Sequence, residues 1–177
     1  MKKLILGSAI LAVLGVASNA MAAPNTGTVN FTGAVSTATC DLSLKDSAGG
    51  DISNVNLGVL SSTATANGTA VPFKLVPQDQ TCLTKTSANV AWSSSTLDSA
   101  GISNAATGGT NAYLLISATN ATKTGNAAVI KQGQTSFDYS ITGGIKSFDY
   151  SAVLAKPTAA LTAGPFNASA SYVVTYK

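Results

Sequence analysis

The chain predicts an all-β sandwich. Three observations support this: strictly alternating stretches near both ends, short apolar runs separated by turn clusters between them, and no sustained helical period. On an extended chain successive side chains point to opposite faces, so alternation gives a strand one apolar and one polar edge. Residues 27–35 carry Gly, Val, Phe, Gly and Val at odd positions and Thr, Asn, Thr and Ala at even ones. From residue 166 onward the even positions are Phe166, Ala168, Ala170, Tyr172, Val174 and Tyr176, and all odd positions through Thr175 except Val173 are small and polar.

The elements between follow in order. Residues 35–44 alternate loosely around Cys40, and residues 46–51 (Asp-Ser-Ala-Gly-Gly-Asp) form a turn by composition. Residues 52–60 predict a second strand, and residues 61–69 a Ser/Thr/Ala/Asn/Gly linker. A third strand spans residues 71–77, where Pro72 and Pro77 indicate a sheet edge or strand ends. Cys82 opens a segment running to Ser93, with the single Trp, Trp92, expected in the core. Residues 94–111 read as loop, residues 113–118 as a central strand, and residues 119–134 as the longest polar excursion. Two similar pieces, residues 136–140 and 147–151, flank Gly143-Gly144 and predict the arms of a hairpin.

Residues 1–22 form a secretion leader, with Lys2 and Lys3 ahead of an apolar run and Ala20-Met21-Ala22 as a small-x-small cleavage site. The run is short for a membrane span, and no later segment approaches the roughly 20 apolar residues a membrane helix needs. Removing 22 of the 177 residues leaves 155, enough for one domain with its own core. Two of the ten lysines leave with the leader, so eight lysines face seven aspartates and the mature balance is +1. Such a surface has no strong attraction to nucleic acid or to an anionic membrane.

The sequence contains no His, Arg or Glu. General acid-base chemistry draws mainly on His and Glu, and transition-metal sites on His and several Cys, so the composition argues against an enzyme and against a cofactor. Lys123-Thr124-Gly125 matches one motif of serine β-lactamases, but no Ser-x-x-Lys accompanies it. Cys40 and Cys82 are an even pair in an exported chain, 42 residues apart, and predict a structural disulfide. A loop of that length constrains the unfolded chain by about 4 kcal/mol on the entropy model.

An N-terminal strand ahead of the first cysteine has little chain with which to fold back, and a strand close to the other end has no successor to pair with. An unpaired apolar edge is an aggregation liability in a solitary domain and an asset in a polymerising one, where strand addition from another copy fills the vacancy. The leader, Gly27-Thr28-Val29-Asn30-Phe31-Thr32-Gly33, Ala38-Thr39-Cys40, the second cysteine, Gly164 fourteenth from the end and the penultimate Tyr176 together resemble fimbrial subunits of the chaperone-usher pathway. Segments such as Phe73-Lys74-Leu75, Ala91-Trp92-Ser93 and Ser147-Phe148-Asp149-Tyr150-Ser151-Ala152 resemble most the major subunits of the sialoglycolipid-binding fimbriae of calf enterotoxigenic strains.

The resemblance implies an incomplete immunoglobulin-like β-sandwich lacking its seventh strand. It implies a division into leader (1–22), donor-strand extension (23–35) and pilin domain (36–177). Gly27, Val29, Phe31, Gly33 and Val35 would be the inserting face; the glycines either mark shallow points of the groove or merely bound the strand. Gly164, Phe166, Ala168, Ala170, Tyr172, Val174 and Tyr176 would form the receiving strand and the motif read by a chaperone. The implied partners are copies of the chain itself, a periplasmic chaperone, an outer-membrane usher and a host glycolipid or glycoprotein, with the fibre at the cell surface. As an alternative role, Lys123, Lys131 and Tyr113 are candidate contacts to an acidic glycan, against the ordinary reading of loop lysines as solvated.

Overall fold

The computed structural model describes the backbone of residues 27–33 and all of residues 40–177. The leader, Val35 and the expected start of the strand around Cys40 lie outside the described residues. Among the described residues ten strands form the two five-stranded sheets of an all-β sandwich. They are β1 (Gly27–Gly33), β2 (Leu42–Asp46), β3 (Asn54–Asn56), β4 (Val71–Pro77), β5 (Ser87–Ser93), β6 (Ile102–Ser103), β7 (Tyr113–Ala118), β8 (Ser136–Ser140), β9 (Phe148–Ala155) and β10 (Phe166–Tyr176). One sheet has the order β3-β1-β10-β5-β8 and the other β2-β4-β9-β7-β6. Every ladder is antiparallel except β1–β10, which is parallel.

The core lies between the sheets, and period-2 burial builds it. In β5, Ala88, Val90 and Trp92 are buried, and in β7 Leu114, Ile116 and Ala118. Trp92 is the hub: its Nε1 donates to the Tyr150 hydroxyl at 3.1 Å. Its ring meets Tyr150 edge-on at 5.0 Å and Tyr172 at 5.5 Å, while Phe73 stacks on Tyr150 at 5.4 Å. Cys40 and Cys82 are joined in a disulfide, as expected for an exported pair. Cys82 itself lies in a 3-10 turn, Gln80–Thr84, rather than at the start of β5.

Several elements depart from expectation. Residues 136–140 and 147–151 are not arms of one hairpin: β8 pairs with β5, whereas β9 lies between β4 and β7 in the opposite sheet. The turn is present, with Gly144 at φ +77° and its amide donating to Ile141 O, but it carries the chain across the sandwich. Buried Ile141 lies within that crossing, and Tyr139 meets Phe148 edge-on at 4.9 Å from the facing sheet. The second strand shrinks to Asn54–Asn56 because the Asn56 carboxamide accepts from the Gly58 amide and Gly58 takes φ +71°. Residues 94–111 include the two-residue strand β6. Pro72 and Pro77 lie near the ends of β4, which is an interior strand and not an edge. The polar excursion 119–134 is tethered, with Thr122 N bonded to Asp138 O, Ile130 N bonded to Ile116 O, and Ala128 and Ile130 buried.

Candidate functional site

The donor and receiving segments meet in one place. β10 is 11 residues long with Phe166, Ala168, Ala170, Tyr172 and Val174 buried, and Tyr176 half-buried at its end. Its second half pairs with β5, from Ser171 against Ser93 to Tyr176 against Ala88. Its first half pairs with β1, from Gly27 against Phe166 to Gly33 against Tyr172, so a seven-residue strand occupies the position beside it. β3 closes the far side of β1, with buried Val55 opposite Val29.

Size alternates along this ladder in a complementary way. Gly27 and Gly33 are register partners of Phe166 and Tyr172, while Val29 and Phe31 are partners of Ala168 and Ala170. Along this register a large residue type is paired with a small one at each of the four positions. The two tyrosines of β10 are shielded from water: burial raises the Tyr172 hydroxyl pKa and pushes that of Tyr176 up to about 12. The Tyr176 hydroxyl is buried without a hydrogen-bond partner among the described residues.

The chain's own N-terminal strand thus lies beside β10, at the position the resemblance assigns to a strand from another copy. The family model described as fimbrial protein matches residues 29–177. The chain belongs to the fimbrial protein family. It is similar to the K99 fimbrial protein of Escherichia coli, 37% identical over 99% of each chain. Among solved structures it is similar to the P pilus rod subunit PapA, at 20% identity and a TM-score of 0.45, covering 79% of this chain and 100% of that one. The family is one of fimbrial structural proteins rather than enzymes, and membership implies a surface fimbrium.

In this fimbrial subunit Gly164 has a packing role that the sequence did not indicate. It takes φ +154°, and a Cβ there would stand 2.7 Å from Gly109 C and Thr110 N. Asn104 holds the junction, donating from Nδ2 to the carbonyls of Thr110 and Pro165 and accepting from the Asn167 amide at Oδ1. Gly109 is equally tight, since its Cβ would lie 2.5 Å from Pro165 O. Residues 104–110 therefore anchor the entry of β10. Asn104, Gly109 and β3 went unrecognised as parts of the groove because none carries a periodic signal.

The three candidate glycan contacts do not converge. The exposed Lys123 has its ammonium 5.9 Å from the Phe137 ring and donates to Ser136 O, while Lys131 sits in a bridge with Gln134. Tyr113, the first residue of β7, lines a cavity with Asp98, Ser103, Asn111, Pro157 and Thr158, and neither lysine is part of that lining.

Proposed function

We propose that this fimbrial subunit polymerises by donor-strand exchange, in which residues 23–35 of one copy leave their own groove and pair with β10 of the next. The observation that carries the reading is the β1–β10 register, in which Gly27, Val29, Phe31 and Gly33 are partners of Phe166, Ala168, Ala170 and Tyr172. Burying Val29 and Phe31 in a neighbour contributes about 1.5–3 kcal/mol each, and each added backbone hydrogen bond about 0.5–1.5 kcal/mol.

Within one chain β1 runs parallel to β10. Cys40 is bonded to Cys82, four residues before Thr86, whose amide donates to Lys177 O at 2.9 Å. The parallel register leaves Gly33 beside Tyr172, at the half of β10 nearer Tyr176.

A neighbour's strand is not bound to that direction. Reversed about Asn30, the stretch sets Gly33 against Phe166, Phe31 against Ala168, Val29 against Ala170 and Gly27 against Tyr172. The inserting face Gly-Val-Phe-Gly is a palindrome in size, so the fit survives reversal. Antiparallel ladders are slightly more stable per residue than parallel ones, which favours exchange over self-completion. On this reading the leader sends the chain to the periplasm, where a chaperone lends a strand to β10 and reads a motif containing Gly164 and Tyr176. The outer-membrane usher is the site of replacement, and the fibre supports adhesion to host cells.

Deleting residues 23–33 tests the reading. The shortened subunit is expected to bind its chaperone and to form no fibres; fibres of normal length from it would contradict donor-strand exchange.

A further inference from the structure

The cavity beside Tyr113 is far from neither β6 nor the 157–162 loop, and its walls are pinned. Ser103 on β6 is the register partner of Tyr113 on β7, so the two share one face at the rim of the sheet. The Asp98 carboxylate accepts from the Ala100 amide at 2.7 Å, from the Gly101 amide at 3.0 Å and from the Ser103 hydroxyl. Opposite, Asn111 donates from its amide to Thr162 Oγ1, accepts from the Thr162 amide at Oδ1 and donates from Nδ2 to Ala160 O. These bonds tie residues 98–103 to one another and residues 160–162 to Asn111, beside a cavity of about 350 Å³. That volume lies at the lower end of the roughly 300–1,000 Å³ typical of small-molecule sites.

We propose that this cavity binds one neutral pyranose unit of a glycan. The chemistry of the lining selects that class. Tyr113 is half-buried and offers an aromatic surface on a rigid strand, against which the apolar C–H face of a sugar can lie. A carboxylate accepts about four hydrogen bonds and Asp98 has three; a carboxamide donates two and accepts two, and Asn111 has used one donor and one acceptor. Among the described residues, one acceptor on Asp98 and a donor and acceptor on Asn111 remain, the complement of adjacent sugar hydroxyls. The hydroxyls of Ser103 and Thr158 add adaptable partners in the same lining.

The charge of the lining excludes an acidic sugar as the preferred ligand. Asp98 is its only charged residue, and hydrogen bonding from Ser103 holds its carboxyl below the usual range, hence ionised at neutral pH. The nearby Lys156 ammonium is directed to Pro157 O and is not part of the lining. A weak site suffices if many copies act together: along a fibre, which rests on the polymerisation reading, repeated cavities convert low single-site affinity into avidity.

NMR titration of the self-completed monomer tests the site whether or not fibres form. The probes are methyl glycosides of galactose, mannose, glucose and N-acetylglucosamine, with the methyl glycoside of sialic acid as the anionic comparison. At least one neutral glycoside is expected to shift the resonances of Tyr113 and its neighbours, binding at least tenfold more tightly than the sialoside. Thr158→Phe fills the cavity from an exposed position and is expected to abolish those shifts without lowering the melting temperature, while Tyr113→Phe retains most of the binding. Preference for the sialoside, no shifts with any glycoside, or unchanged binding in Thr158→Phe would overturn the proposal.

Discussion

Gly164 illustrates how one residue can serve a packing need beside the part it is proposed to play in chaperone recognition. With φ +154° and neighbouring backbone 2.7 Å from where a Cβ would be, any side chain must push the 108–110 backbone away from β10. Gly164→Ala is therefore expected to cost about 2 kcal/mol, seen as a lower thermal midpoint. Gly143→Ala, where the nearest atom is Ser140 O at 3.9 Å, is the control and should change stability by less than about 0.5 kcal/mol. The tyrosines make a second prediction at this scale. Burial raises the pKa values of Tyr139, Tyr150, Tyr172 and Tyr176, whereas in the unfolded chain they titrate near 10. Above that pH the native state holds more protons than the unfolded one, so stability is full below about pH 10 and falls as pH rises further. Urea midpoints should be flat from neutral pH to about pH 9 and decline beyond pH 10, with tyrosinate absorbance appearing together with unfolding.

At the level of elements, legibility followed the strength of local pattern. β4, β7 and β10 were readable with their bounds because apolar or strictly alternating runs of six or more residues leave one extended reading. β3 and β6, at three and two residues, are too short to hold a period. The pair Ser136–Ser140 and Phe148–Ala155 misled for a different reason. A tight turn between two aromatic-bearing strands has the same local sequence whether it joins neighbours in one sheet or crosses between sheets. The choice is made by distant partners, β5 for one strand and β4 and β9's other neighbour β7 for the other. The direction of β1 was illegible for a related reason, since a face that is palindromic in size can be set against β10 either way. The Tyr113 cavity was half visible: the tyrosine could be singled out, but Asp98 and Asn111 come to it through loops without a motif.

For the whole molecule, a sandwich completed by its own β1 and one completed by a neighbour present the same large-to-small match at the groove, and they differ in connectivity and strand direction. Self-completion gives a monomer with its groove filled; exchange gives a chain of subunits with no new chemistry. Cysteine cross-linking separates the two directly. In the parallel self-inserted register Thr28 is opposite Asn167, and in the reversed register Thr32 takes that place. In sequence both positions alternate with the apolar Val29 and Phe31, and Asn167 is exposed, so cysteines there spare the apolar positions. Oxidised fibres of the Thr32→Cys/Asn167→Cys variant are expected to run as a ladder of covalent multimers on a non-reducing denaturing gel, while the Thr28→Cys/Asn167→Cys monomer forms an internal bond. Fibres of the first variant that dissociate entirely into monomers would contradict the exchange of β1 between subunits.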